Sequence, residues 1–268
     1  MELINNKYLI NEQIGAGSFG IIYKGKNVRT LENVAIKVEP MKNNTKLLKN
    51  ESTVYQYLTN TYGVPNVKWF GKDKHNYYMV INLLGESLQS IIERRGTLSL
   101  KSTLQYGLQI LYLLKNIHDK GLIHRDVKPD NFLLGLNDKK NQLHIIDFGF
   151  CKSYIIDETT HIPLKKTHNI IGSLTYASIN SHNCIELSRR DDLESLGYIL
   201  IYSYFGDLPW KLETNNALIK KSKNDILNDT NIPEILNEFL KNVRSLEFEE
   251  KPNYSILMDM FKREINVK

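Results

Sequence analysis

The apolar residues of this 268-residue chain change period near Gly85, and that change limits the folds open to it. Upstream, residues 8–14, 20–26, 33–38, 67–71 and 77–82 form short runs rich in β-branched and aromatic residues, the pattern of strands. Between them, residues 45–58 switch to helical spacing, with Leu47, Leu48, Glu51, Val54, Tyr55 and Leu58 on one face. Downstream the spacing is mainly helical, over residues 87–94, 100–120, 192–205, 232–245 and 254–265. An α+β chain of two lobes is expected: a small β-rich lobe with one main helix over residues 1–84, and a larger, mostly helical one over 85–268. A cleft between them is the place to look for a site.

The chemistry concentrates in His124-Arg125-Asp126-Val127-Lys128-Pro129-Asp130-Asn131, followed shortly by Asp147-Phe148-Gly149. Together they offer a proton acceptor, a phosphate-facing lysine and two oxygen ligands suited to magnesium. That is the equipment for moving a phosphoryl group from a nucleotide to a hydroxyl. Asp126 is expected to accept or orient the hydroxyl proton, and Lys128 to offset charge on the transferred group. Asn131 and Asp147 are the expected metal ligands. A turn or helix-cap role for Asp126 would leave Lys128 and Asn131 unexplained.

Gly15-Ala16-Gly17-Ser18-Phe19-Gly20 fits G-x-G-x-x-G, a pattern shared by dinucleotide-binding turns and by purely structural hairpins. A dinucleotide turn opens a helix, whereas Ile21-Ile22-Tyr23-Lys24 continues as a strand. A glycine loop between two strands lets backbone N–H groups come close to phosphate oxygens. In Val34-Ala35-Ile36-Lys37-Val38 the lysine is flanked by apolar residues and is expected to hold phosphates. Glu51, on the apolar face of its helix, needs a cation, and Lys37 is the natural one. Glu39 and Glu32 are the alternatives.

These residues resemble the eukaryotic protein kinases, and the detail is similar to the casein kinase 1 family. The likeness is carried by Gly63-Val64-Pro65-Asn66-Val67, Met79-Val80-Ile81-Asn82-Leu83-Leu84-Gly85, Tyr176-Ala177-Ser178-Ile179-Asn180, Ser188-Arg189-Arg190-Asp191-Asp192-Leu193-Glu194-Ser195-Leu196-Gly197 and Lys251-Pro252-Asn253-Tyr254. It runs from Tyr8 to Phe261. Most protein kinases have A-P-E where this chain has Ser178-Ile179-Asn180. The resemblance implies the two-lobed kinase fold, ATP and Mg2+ as cofactors, and serine or threonine as acceptor. It places Ile14, Ile22, Ala35, Ile81, Leu84, Leu133 and Ile146 around adenine, with Gly15, Gly17, Ser18 and Gly20 over the phosphates. Asp192 resembles the aspartate that holds the catalytic-loop backbone.

One departure bears on specificity. The family has G-T-A-R-Y where this chain reads Gly172-Ser173-Leu174-Thr175-Tyr176, so Thr175 stands where an arginine would meet a substrate phosphate. Lys221 and Lys211, with Lys165, Lys166 and His168 nearby, are the remaining anion-site candidates. Acidic or phosphorylated protein substrates are therefore expected, with a weaker preference than the family's. The resemblance also implies activity without phosphorylation of the activation segment, and no regulatory tail is expected. The two other readings are a pseudokinase, which the intact Lys37, Asp126, Asn131 and Asp147 oppose, and a small-molecule kinase, which the Ser178-Ile179-Asn180 segment opposes.

The bulk numbers add exclusions. A net charge of +5 is too small and dispersed to call for nucleic acid. Cys151 and Cys184 have no metal-ligand spacing and suggest a reducing compartment rather than a disulfide framework. No signal peptide is expected at the start, and the apolar stretch near Leu196 is too short to span a bilayer. A cytoplasmic monomer is expected. Lys220-Lys221-Ser222-Lys223, read as a surface loop, is the one segment that could serve nuclear entry.

Overall fold

The computed structural model describes residues 3–17, 20–41, 47–157 and 159–267. The fold is mixed α+β and divides into two compact units. One comprises Met1–Gly85 with Leu133–Gly149, the other Glu86–Phe132 with Phe150–Lys268.

The first unit is built on an antiparallel sheet. Its strands are β1 (Leu3–Ile4), β2 (Tyr8–Gly17), β3 (Gly20–Asn27), β4 (Asn33–Pro40), β5 (Val67–Lys72) and β6 (Asn76–Asn82), in spatial order β1-β2-β3-β4-β6-β5. Period-two alternation sorts the side chains of this sheet. Val34 and Ile36 of β4 join Ile4, Tyr8, Tyr78 and Val80 in a buried cluster, with Tyr23, Val38 and Trp69 packed against it. Ala35 and Lys37 fall on the opposite face. Register then lines Lys37 up with Ile22 on one side and Met79 on the other, and Ala35 with Ile81. One helix, α1 (Leu47–Tyr57), completes the unit; residues 42–46, where the sequence began it, lie outside the described residues. Glu39 Oε2 accepts the Leu48 N–H at 2.8 Å and so satisfies a donor in the first turn of α1.

Residues 133–149 join this unit although they follow its other residues by nearly fifty positions. The Gly85 N–H donates to Leu134 O at 2.7 Å, and the Ile145 N–H to Gly63 O at 2.9 Å. A single cut at 84/85 does not anticipate this, because a hairpin of three-residue strands, Phe132–Leu134 with Leu143–Ile145, is too short to announce its partners.

The second unit is helical: α2 (Leu88–Arg95), α3 (Leu100–His118), α4 (Ile179–His182), α5 (Arg189–Phe205), α6 (Asn216–Asp225), α7 (Glu234–Arg244) and α8 (Tyr254–Asn266). Helix α5 is buried almost all round, and α3 and α7 pack on it. It begins three residues before the expected 192. Arg189 and Arg190, which look like solvent residues, donate to the Glu249 and Leu246 carbonyls at 2.6 and 2.7 Å. Serine side chains cap α2 and α3: Ser87 and Ser99 accept the N–H groups of Ser90 and Ser102.

Helix α6 corrects the expected surface loop at 220–223. Asn215 caps it by accepting the N–H groups of Ala217 and Leu218. Its buried residues are Ile219 and Lys223, four apart on one face. A helix whose inner face is one isoleucine and one lysine shows no apolar stripe in sequence. Among the described residues, no helix is long and apolar enough to cross a membrane.

Candidate active site

In the first unit, three of the predicted residues meet. Lys37 Nζ donates to Glu51 Oε2 at 2.7 Å and to Asp147 Oδ1 at 3.1 Å. Strand β4 aims Lys37 off the sheet, α1 carries Glu51 on its buried face, and Asp147 follows the 143–145 strand. Burial works against the Lys37 charge, but Glu51 and Asp147 outweigh it and hold the ammonium above the ordinary lysine range. Burial drives the Glu51 carboxyl upward while Lys37 pulls it down. Glu39 and Glu32 are occupied elsewhere, the first with α1 and the second with Lys68 at 2.7 Å.

Tyr55, whose helical spacing marks it only for packing, is a further neighbour. Its hydroxyl accepts the Asp147 N–H at 3.2 Å, and its ring meets Phe148 edge to face with centroids 4.9 Å apart. Asp147 has φ 65°, a left-handed conformation that this hydrogen bond helps to hold. Burial, and then Glu51, raise the Tyr55 pKa, so the phenol keeps its proton.

All seven residues expected around adenine lie in this unit. Ala35 is buried; Ile22, Ile81, Leu84, Leu133 and Ile146 are half-buried; Ile14 is exposed. Gly15 pairs with Ile22, and Gly17 with Gly20, across β2 and β3. Ser18 lies outside the described residues. Gly20 has φ 154°, and a Cβ there would sit 2.1 Å from Val38 O, so no side chain fits.

The second unit contains Asp126, Lys128 and Asn131. Asp126 Oδ2 pairs with Lys128 Nζ at 2.8 Å, and Oδ1 accepts the Ser173 N–H at 3.0 Å. Asn131 Nδ2 donates to the Asp126 carbonyl at 2.8 Å, which turns the amide oxygen the other way. Asp192 of α5 anchors this loop. Its Oδ2 accepts from the His124 N–H at 2.7 Å and pairs with His118 Nε2 at 2.9 Å, while Oδ1 accepts the Arg125 N–H at 2.8 Å. Despite complete burial, these partners hold the Asp192 carboxyl below its ordinary value. Arg125 has φ 67°, and its Nε donates to Phe150 O at 2.6 Å.

The segment facing this loop is equally fixed. Gly172 has φ 87°, and a Cβ there would lie 2.5 Å from Arg125 O. Ser178 Oγ and Asn180 Nδ2 both donate to Asp191 Oδ1, at 2.7 and 3.0 Å, tying Ser178-Ile179-Asn180 to α5. Thr175 presents its carbonyl to Trp210 Nε1 at 2.7 Å.

The anion-site candidates separate. Lys221 is exposed on α6. Lys211 is half-buried, its ammonium 3.3 Å from the Tyr202 hydroxyl and 4.8 Å from that ring's centroid. Lys165 and Lys166 are exposed, the former 3.8 Å from Glu186. Lys223 is wholly buried, and nothing in its polar neighbourhood of sequence signalled that.

Asn131, in the second unit, offers an amide oxygen, and Asp147, in the first, offers a carboxylate. Both are hard ligands that fit magnesium. Among the described residues, no group of three or more His, Cys, Asp or Glu side chains is placed to hold a metal by itself. A family model described as the protein kinase domain matches residues 8–264 of the chain.

Proposed function

The chain belongs to the protein kinase domain family and is an ATP-dependent protein phosphotransferase; from that premise we propose a serine/threonine kinase of the casein kinase 1 type. The observation that carries the reading is the setting of Asp126. Its two carboxylate oxygens are held by Lys128 and by the Ser173 N–H, and Asp192 fixes the backbone of the two preceding residues.

In this reading the acceptor hydroxyl attacks the γ-phosphorus of ATP, ADP leaves, and Asp126 takes the hydroxyl proton or orients it. Lys128 offsets the charge that spreads over the equatorial oxygens. Lys37, kept cationic by Glu51 and Asp147, holds the α- and β-phosphates. Ile14, Ile22, Ala35, Ile81, Leu84, Leu133 and Ile146 enclose adenine, and the glycines at 15, 17 and 20 leave room over the phosphates. Asn131 and Asp147 would hold Mg2+, which when bound neutralises charge on the phosphate oxygens.

Substrates are proteins whose acceptor serine or threonine lies among acidic or phosphorylated residues, with a preference weaker than the family's. Thr175 brings no cation to that site, and Lys211 is engaged with Tyr202, so Lys221 supplies most of the attraction.

The test is transfer from labelled ATP to two peptides, one acidic and unprimed, the other with phosphoserine three residues before the acceptor. Both should be phosphorylated, with a primed preference below about tenfold, the worth of one solvent-facing charge contact. Asp126→Asn should abolish transfer to either by orders of magnitude and leave nucleotide affinity nearly unchanged. Binding of Mg-ATP without turnover on any protein acceptor would sink the proposal.

A further inference from the structure

Lys223 is a lysine with no solvent exposure, on a helix whose other buried residue is Ile219. Its ammonium lies 2.9 Å from Leu174 O, 2.6 Å from Ala177 O and 2.9 Å from His182 Nε2. The Tyr198 and Trp210 rings close the cage, with centroids 4.7 and 5.5 Å away. An ammonium has three N–H groups, and three acceptors surround it.

The tautomer of His182 follows from the same network. Asn216 Nδ2 donates to His182 O at 3.1 Å, which leaves Asn216 Oδ1 to accept from His182 Nδ1 at 2.5 Å. With its proton on Nδ1, His182 offers a lone pair on Nε2 to Lys223. Burial, and then Lys223 itself, depress the His182 pKa to about 4, so the ring is a neutral acceptor over the ordinary working range.

The two carbonyls gripped by Lys223 belong to a tight turn. Ser173 O accepts the N–H groups of Tyr176 and Ala177 at 3.0 and 2.7 Å. The Ser173 N–H, at the head of that turn, donates to Asp126 Oδ1. We propose that Lys223 is a positioning residue for phosphoryl transfer, gripping the Leu174 and Ala177 carbonyls so that Ser173 holds Asp126 in its working orientation. The role rests on the reading of Asp126 as the residue that receives the acceptor proton. Because every N–H of Lys223 is spent inside the protein, it also contributes nothing to capture of a substrate phosphate.

The charge of Lys223 is sensitive to its surroundings. Burial draws its pKa down to about 7, with Glu194 opposing and Arg244 reinforcing the shift. Glu194 itself is paired with Arg244 at 3.1 Å and accepts from the Tyr198 hydroxyl at 2.6 Å. Lys220, on the same helix, adds positive potential at His182. A neutral amine has two N–H groups for three acceptors, so rising pH loosens the turn.

The test compares Lys223→Met, Lys223→Ala and Asp126→Asn with the unsubstituted enzyme. Both Lys223 variants should lower kcat on an acceptor peptide about tenfold or more while nucleotide affinity stays within about twofold. Added n-propylammonium should restore part of the Lys223→Ala rate, and n-propanol should not. Folded variants with unchanged kcat, or equal rescue by propanol, would overturn the positioning role. Retained activity in Asp126→Asn would instead overturn the reading of Asp126, independently of Lys223. Should neither Lys223 variant fold, amide exchange in the unsubstituted protein decides. Protection of Tyr176 and Ala177, relative to α5, should fall from about pH 6 to about pH 9; constant relative protection refutes the inference.

Discussion

Two lysines of this kinase, Lys37 and the fully buried Lys223, are held by opposite means. Lys37 sits between two carboxylates, which raise its pKa against burial. Lys223 faces two carbonyls, a histidine nitrogen and two aromatic rings, and its pKa falls to about 7. Full opposite charges hold a cation firmly, and dipoles hold it conditionally. The first arrangement suits a permanent charge. The second suits a clamp on a turn, where three directed hydrogen bonds matter more than the field.

Breaking the first cluster should cost most. Lys37→Met strands Glu51, which is only 3% exposed, and should destabilise the fold by about 3–5 kcal/mol in urea unfolding. It should also reduce phosphate transfer by at least about two orders of magnitude. Adding Glu51→Gln to that variant should return much of the stability and none of the activity. If the single variant is as stable as the parent, the pair is not the buried ion pair described here.

Gly172→Ala approaches the second cluster from the far end of its turn. With φ at 87° and a carbonyl 2.5 Å from the added Cβ, it should cost about 2 kcal/mol and lower kcat with it. Lys223→Met should cost somewhat less, about 1–2 kcal/mol. Two carbonyls lose their donor, but no opposite charge is left stranded. A loss equal to that of Lys37→Met would erase the contrast between the clusters. Two residues from Lys223, Lys221→Ala should change stability by under about 0.5 kcal/mol, and it should remove the primed-peptide preference.

The contrast also explains what could be read from sequence. Lys37 lies in a strand whose alternation is plain, and Glu51 on a helix face marked by four apolar neighbours. Both elements announce their buried sides by period. The His124–Asn131 and Asp147–Gly149 stretches were legible because their residue types are tied to chemistry rather than to packing. Lys223 had neither signal. Its helix carries one buried apolar residue, and two of its three acceptors come from a turn nearly fifty residues earlier. The same reason hides the role of Tyr55, whose helical spacing reads as plain core. It also hides Arg189 and Arg190, whose carbonyl partners near 246–249 are remote in sequence. Period reveals what oil does in a fold; it says little about a polar group whose partners are backbone atoms far along the chain.

The membership of residues 133–149 in the first unit has a consequence for the birth of the molecule. Synthesis runs from the N-terminus, and folding units generally form as they emerge. The six strands and α1 are complete once Gly85 is free of the ribosome, yet Lys37 then has only one of its two carboxylates. Asp147 arrives more than sixty residues later, after α2 and α3 have been made. A newly made first unit therefore waits, with a half-matched cation in its interior, for a hairpin that comes by way of its neighbour. Neither unit is a continuous stretch of gene, so the two must be inherited, and must mature, together.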